Sequence, residues 1–325
     1  MCCPDLVRTM ASNTTRAVQS ALNYFTNTYA LITTVHNESM VLERCIKSVI
    51  AQTLLPIKWV IICDRCTDGT EALARSMTSN VSWIHVLTSS TSSGAGYENK
   101  VCAIRTALAS IDHLNYAFLG ILDGDIELQP NFYSRLIARM QSDALIGIAG
   151  GMVLEPELHC ELVIRSTEVP GGTQVFRRSC FETIGGFLGI PEGGEDAVAC
   201  AMARMAGYKT VLYSDLTARH LKPRGGHTHG YFKHAWHGGQ RDGAIGYYMP
   251  YVIAKCMFRG IKEKRYLYYS IWFVSSMMFR ITNRQPRMPA NVVAFIQQEQ
   301  RRLLWERVRT FLAKNRTREF IGDCK

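Results

Sequence analysis

Asp123-Gly124-Asp125 follows the apolar run Ala117-Phe118-Leu119-Gly120-Ile121-Leu122, which reads as a buried strand. Residues two apart in an extended chain point to the same side, so both carboxylates can face one spot at the strand's end. Held that close, they repel unless a cation lies between them or one stays protonated. Such oxygen ligands suit Mg²⁺ or Mn²⁺, whose shells are often completed by substrate phosphates. Other acids also follow apolar runs: Glu38, in His36-Asn37-Glu38, comes after Tyr29 to Val35, and Asp64 after Lys58 to Cys63. In open α/β sheets the carboxyl ends of the strands are where ligands bind. One acid at a strand end is unremarkable, but several at successive ends outline a polar crevice. D-x-D alone also fits an ordinary acidic turn, so its surroundings decide.

Those surroundings alternate strand and helix. The run Tyr29 to Val35 predicts a strand, and Val41, Leu42, Cys45, Ile46, Val49 and Ile50 recur at helical spacing. Lys58 to Cys63, Val81 to Leu87 and Tyr116 to Leu122 predict further strands, separated by helices near Glu71 to Met77 and Tyr97 to Ile111. Four such alternations are the signature of βαβ units and a parallel sheet. A helix from Pro130 to about Met140 and a strand from Ile146 to Val153 follow. Val169 to Arg177 and Phe181 to Phe187 come next, with Gly171-Gly172 and Gly185-Gly186 as breakers. Pro191-Glu192-Gly193-Gly194 then delivers Glu195-Asp196 to the start of a helix that ends at Met205 before Gly207, and Thr210 to Tyr213 is a short strand.

The chain has 325 residues, 47% of them hydrophobic, enough for one large domain or two smaller ones. Eleven cysteines, scattered rather than spaced as a framework, and an amino-terminal stretch without the core of a signal peptide predict reduced thiols in a cytoplasm. Cys63-x-x-Cys66 lies inside a strand-end motif, and burial there explains Cys63 without redox chemistry. The net charge of +10 is uneven. From Tyr251 to Lys325 there are 16 Lys and Arg against 5 Asp and Glu, a net of +11, leaving a net of −1 for the preceding 250 residues. The basicity belongs to the carboxyl-terminal segment and speaks of partners, not of fold.

In this order the motifs resemble the family 2 glycosyltransferases with the GT-A fold. Thr34-Val35-His36-Asn37-Glu38 stands where the family usually has Pro-x-Tyr-Asn-Glu, and Cys63-Asp64-Arg65-Cys66-Thr67-Asp68-Gly69-Thr70 where it has Asp-Asp-Gly-Ser-Thr-Asp-Gly-Thr. Asn99-Lys100, Asp123-Gly124-Asp125 and Gly185-Gly186-Phe187 with Glu195-Asp196 complete five motifs in register between about Tyr29 and His220. Thr34, His36 and Cys63 replace the family's usual residues, which leaves the nucleotide base open.

The resemblance implies an α/β fold: a Rossmann-like, mostly parallel sheet flanked by helices, with a helical carboxyl-terminal segment. It implies an extension over 1–28, a catalytic domain over 29–222 (a nucleotide-binding half, 29–125, and an acceptor half, 126–222) and a basic helical segment over 223–325. The implied reaction moves a sugar from a nucleotide-diphosphate donor to an acceptor hydroxyl, with inversion. Thr34, His36, Glu38, Asp64, Lys100, Asp123 and Gly124 would hold the nucleotide sugar. Asp125 and Asp123 would hold Mn²⁺ or Mg²⁺, with His220 reaching the metal or the diphosphate unless it is an ordinary structural histidine. Asp196, beside Glu195, would be the general base.

Beyond His220 the chain is rich in Gly and His up to Gly243. His227-x-His229 and His234-x-x-His237 have spacings that zinc accepts, but a flexible loop ordering over the diphosphate, with Arg224, Gln240 and Arg241 as phosphate contacts, is more economical. Two apolar stretches follow, Ala244 to Phe258 and Tyr266 to Phe279, both short of the ~18–20 residues that span a bilayer. They read as core helices or as interfacial helices on an anionic membrane. The expected partners are thus a nucleotide-sugar donor, a glycan or lipid-linked acceptor and an anionic membrane surface; the expected location is the cytoplasm, including the inner face of the membrane. A nucleotidyltransferase of similar fold would carry a Gly-rich phosphate loop after the first strand, where Thr34-Val35-His36-Asn37-Glu38 stands. A nucleic-acid-binding role for the basic tail ranks third, since nothing resembles an RNA or DNA module, and no nucleic acid is expected as partner.

Overall fold

The computed structural model of the protein describes residues 27–89, 96–154, 167–222, 230–283 and 285–322, with side chains up to 310 except at Tyr231. The chain divides into two compact units: residues up to 189 together with 195–224, and residues 190–194 together with those from 225 onward.

The first unit is built on an eight-stranded sheet. Strand β1 (Tyr29–Val35) is flanked by β2 (Lys58–Asp64) and β4 (Phe118–Asp123), and β3 (Ile84–Ser89) lies outside β2, all four parallel. β1 and β2 are buried along nearly their whole length, as central parallel strands covered on both faces must be. Helices α1 (Leu42–Ile50), α2 (Thr70–Thr78) and α3 (Glu98–Ile111) make the crossovers. In α1, Leu42, Cys45, Ile46 and Val49 are fully buried at helical spacing, and each large side chain among them contributes about 1.5–3 kcal/mol by leaving water. The alternation of strands and helices read from the sequence is present up to β4.

Beyond β4 the sheet is mixed. After β5 (Ile126–Leu128) and helix α4 (Phe132–Ser142) come β6 (Ile146–Leu154), β7 (Val175–Arg177), α5 (Arg178–Thr183), α6 (Glu195–Met205) and β8 (Lys209–His220). The order across the sheet is β3-β2-β1-β4-β7-β6-β8-β5, with β7 antiparallel to both β4 and β6, and β5 antiparallel to β8. Two expectations are corrected here. The strand expected from Val169 shrinks to Val175–Arg177, because Gly171–Thr173 forms a 3₁₀ turn. The short strand at Thr210 continues to His220, with a register irregularity opposite Gly151/Met152 that carries it past the polar Ser214-Asp215. β5 is too short for any periodicity to reveal.

β5 changes the meaning of the Asp123-Gly124-Asp125 segment. The segment both ends β4 in mid-sheet, at Asp123, and turns the chain toward β8 at the edge. A Cβ on Gly124 would lie 2.5 Å from Cγ1 of the buried Val35. Gly124→Ala is accordingly expected to destabilise the first unit by about 1–3 kcal/mol through overpacking, read as a lower denaturation midpoint.

The second unit contains α7 (Tyr231–Ile245), α8 (Met249–Lys262), α9 (Tyr266–Asn283) and α10 (Ala290–Gly322). Its core gathers Ala235, Val252, Cys256, Tyr268, Tyr269 and Trp272. The Gly/His-rich segment expected as a loop is helix α7 from Tyr231 on. Its glycines admit α9 at backbone distance: a Cβ on Gly239 would lie 2.2 Å from the Trp272 carbonyl oxygen. Asp242, buried in this unit, accepts hydrogen bonds from Lys255 and, at 2.7 Å, from Trp272 Nε1. No helix among the described residues is long and apolar enough to cross a membrane.

Candidate active site

The strand ends of the first unit converge as their register dictates. β1 pairs Thr34 with Asp123 on β4, and Val35 with Cys63 on β2, so the residues after Val35, Cys63 and Leu122 share one edge. Asn37 and Arg65, just past β1 and β2, adopt left-handed φ values of 55° and 50°, a conformation uncommon outside glycine and enriched at ligand sites. Asn37 secures its turn by accepting from the Thr67 N–H at 2.8 Å. His36 Nδ1 donates to the Asp64 carbonyl at 2.6 Å, which ties the ends of β1 and β2 together and defines which ring nitrogen carries the proton. The Asp64 carboxylate accepts from Arg65 Nε and Nη2 at 3.1 and 2.9 Å, a fork-to-fork pair.

The two motif aspartates face different protein partners. Asp123 Oδ1 lies 3.0 Å from Lys100 Nζ, and the same ammonium lies 3.3 Å from Glu195 Oε1. Burial works against the charge on Lys100, but Asp123, Glu195 and Asp196 outweigh it and hold the ammonium above the ordinary lysine range. Asp125 Oδ2 lies 3.1 Å from His220 Nε2. Burial would raise the Asp125 carboxyl, yet the hydrogen bond and charge of His220, with Lys222 behind it, bring it below its usual value. The Leu221 N–H donates to the Asp125 carbonyl at 2.8 Å, extending the β5–β8 ladder by one bond. That bond holds the motif turn and residues 220–222 as one piece. Lys222 accordingly reaches the Glu38 carboxylate. Glu38 is raised above its ordinary value by burial first, with Asp125 and Asp123 adding to it and Lys222 opposing.

Asp196 opens α6. Its Oδ2 accepts from the Gly171 N–H at 3.1 Å and its Oδ1 from the Ala197 N–H at 2.8 Å. Gln174, wholly buried, donates to the carbonyls of Val169 and Asp196 at 3.0 and 3.2 Å, fastening the helix start to the strand beside β4. A Cβ on Gly172 would sit 2.9 Å from Asp123 Oδ2, and one on Gly171 would sit 3.1 Å from Asp196 Oδ2. The Gly171-Gly172 turn is thus the shelf on which Asp123 and Asp196 both rest. In the sequence it reads only as a breaker, and the signal that could single it out is its side-chain-free pair between two acidic motifs. Gly185-Gly186-Phe187 serves packing, with Phe187 in an edge-on cluster with Phe176 and Phe181 at 5.3 and 5.8 Å.

Thr34, His36, Glu38, Asp64, Lys100, Asp123, Gly124, Asp125, Glu195, Asp196 and His220 thus all belong to the first unit. Lys222 and Arg65 were not singled out by the sequence, and each pairs with a residue that was. Of the expected diphosphate loop, the part from Tyr231 on is helix α7. Gln240 lies within α7, where its Nε2 donates to Ser275 O and Oγ at 3.0 and 2.9 Å. Arg241 is also on α7, its guanidinium 5.5 Å from the Trp272 ring. His234 bonds the Tyr268 hydroxyl; Arg224, His227 and His229 lie outside the described residues. Among the described residues no group of three or more His, Cys, Asp or Glu is placed to hold a metal ion unaided. The Asp125–His220 pair offers one carboxylate and one imidazole, a donor set that Mn²⁺ accepts when a substrate supplies further oxygens.

Residues 30–185 match the sequence profile of Glycosyl transferase family 2. No curated protein sequence matches the chain significantly. Among solved structures, the mannosyltransferase PcManGT from Pyrobaculum calidifontis in complex with GDP-Man and Mn²⁺ is similar at a TM-score of 0.55 and 16% identity, covering 87% of this chain and 82% of that one. S. aureus TarS 1–349 in complex with UDP-GlcNAc matches at a TM-score of 0.48 and 15% identity, over 62% of this chain and 60% of that one. GalNAc-T7 with UDP, GalNAc and Mn²⁺ matches at a TM-score of 0.48 and 17% identity, over 60% of this chain and only 43% of that one.

Proposed function

The chain carries a family 2 glycosyltransferase domain with the GT-A fold, and from that premise we propose that it transfers a sugar from a nucleotide-diphosphate donor to an acceptor hydroxyl with inversion. The observation that carries this reading is the shared shelf: Asp123, bound to Lys100, and Asp196 both rest on Gly171-Gly172 at the carboxyl edge of the sheet. A donor seated against the ends of β1, β2 and β4 would bring its anomeric carbon between them.

The donor's nucleotide lies along Thr34, His36, Glu38 and Asp64, with Asp64 already engaged by Arg65. Asp123, Gly124 and Lys100 meet the ribose and the sugar. Asp125 and His220, with Asp123 beside them, are the residues that would hold a divalent cation. That ion, when bound, supplies Lewis-acid compensation of the charge developing on the departing diphosphate. The complex of the P. calidifontis neighbour with GDP-Man and Mn²⁺ supports both the donor class and the ion. Asp196 takes the acceptor proton: the acceptor oxygen bonds to the anomeric carbon, the bond to the diphosphate oxygen breaks on the opposite face, and the proton passes to the Asp196 carboxylate. Glu195 holds Lys100 and is not the base. The acceptor belongs to the glycan or lipid-linked class.

The test is a thermal-shift panel of nucleoside diphosphates and nucleotide sugars, with and without Mn²⁺ or Mg²⁺. One base series is expected to stabilise the protein only with the ion, by about 2.7 kcal/mol at a hundredfold excess over Kd. No stabilisation by any diphosphate, with or without metal, overturns the reading.

A further inference from the structure

Away from the strand-end crevice, the second unit carries a surface that its own packing leaves open. Helices α8 and α9 form a hairpin. At its tip Met257 and Ile261 on α8, and Tyr266 and Leu267 on α9, are 63%, 62%, 61% and 61% exposed. Ile253, Met257 and Ile261 succeed one another at intervals of four along α8, all exposed, so the outer face of this helix is apolar where a helix bathed in water would be polar. Scattered exposed hydrophobics need no explanation, but a contiguous set at the end of a hairpin marks an interaction site.

The charges at the tip are predominantly positive. Arg259, Lys262, Lys264 and Arg265 stand there with Glu263 as the one acid between Met257 and Leu267. The Glu263 carboxylate is turned inward, accepting from the Tyr269 hydroxyl at 2.7 Å. The turn itself holds a further clue. The Arg265 N–H donates to the Gly260 carbonyl at 3.0 Å and the Lys264 N–H to the Ile261 carbonyl at 3.4 Å, the paired bonds of a Schellman helix end. The left-handed position of that motif is normally glycine, and here it is Lys264, at φ 53°. A side chain in that region is strained relative to glycine, yet a lysine occupies the apex.

We infer that this hairpin tip docks on the surface of an anionic lipid bilayer. Met257, Ile261 and Leu267 enter the headgroup boundary, Tyr266 lies at its level, and the lysines meet lipid phosphates and acidic headgroups. The wider field agrees, since the segment from Tyr251 carries a net charge of +11. A second copy of the chain fits less well, because two such tips would oppose cation to cation. A nucleic acid would leave the apolar side chains in water. Lipid docking and sugar transfer use different residues, so either can fail alone.

The full chain is floated with phosphatidylcholine vesicles and with vesicles containing about one-third phosphatidylglycerol. Partition is expected on the anionic vesicles alone, and it should fall steeply between about 0.1 and 1 M salt as screening tightens. Lys264→Gly relieves the turn, so the variant is expected to melt no lower than the parent and yet partition about five-fold more weakly. Ile261→Ser with Leu267→Ser is expected to weaken partition while nucleotide binding in the thermal-shift panel stays unchanged. Equal binding to neutral vesicles, absence of partition by the parent chain, or a dimer abolished by the serine substitutions without any lipid binding each overturns the inference.

Discussion

Asp125→Asn is expected to lower turnover by about 10²–10³-fold and to abolish the metal-dependent part of donor stabilisation, while the protein stays folded. The amide keeps the volume of the carboxylate and can still hydrogen-bond His220, which lies 3.1 Å away in the parent, so the turn between β4 and β5 stays closed by the Leu221–Asp125 backbone bond. What disappears is the charge. Asp125 is the motif aspartate whose ionised form is favoured over its ordinary value, His220 and Lys222 outweighing burial, and an anionic oxygen is what a hard divalent cation requires. The size of the effect follows from the leaving group: removing one stabilising partner from developing diphosphate charge typically costs about two to three orders of magnitude in rate. The measurement is turnover beside Mn²⁺-dependent thermal shift with a nucleoside diphosphate. A variant stabilised by diphosphate and Mn²⁺ as strongly as the parent would remove Asp125 from the cation site.

Asp196→Asn is expected to leave donor binding intact and to reduce transfer by about 10²–10⁴-fold, the range for loss of a positioned general base. The asparagine oxygen can accept one of the two backbone N–H bonds that now converge on Asp196, from Gly171 and Ala197. The other is lost, at about 1 kcal/mol, so α6 stays in place. The neighbouring Glu195, itself buried, cannot take over without releasing Lys100, from which it is 3.3 Å distant. Calorimetric titration with the donor diphosphate reads binding, and single-turnover transfer reads the proton step. Turnover within a few-fold of the parent would show that another group takes the acceptor proton.

The part of this arrangement legible in the sequence was the part encoded locally. Continuous apolar runs predicted β1, β2 and β4, because a strand covered on both faces must be apolar throughout. The 3.6 spacing of Leu42, Cys45, Ile46 and Val49 predicted α1. Acids just after those runs pointed to the strand-end crevice, and the resemblance through the motifs from Thr34 to Asp125 agrees with the profile match over residues 30–185. The Gly/His-rich stretch misled because glycine and histidine disfavour helix by intrinsic propensity. Tertiary packing overrides that preference: the glycines of α7 let Trp272 and Ser275 of α9 approach to a distance that a side chain would forbid.

By itself, then, the sequence determined which residues end the strands and that carboxylates stand there, since both are properties of contiguous stretches of chain. Only the tertiary structure decided how those carboxylates are partnered. Lys100 and Glu195 are 95 positions apart in the chain, as are Asp125 and His220, and Lys222 is farther still from Glu38. Such pairings depend on β5 crossing from β4 to the far edge of the sheet and on Gly171-Gly172 folding into a shelf without side chains. The first has no local pattern to announce it, and the second shows in the sequence only as a pair of glycines. Coulombic partners are set by distance in space, and the two acids of one short motif end beside different ones, Asp123 at Lys100 and Asp125 at His220.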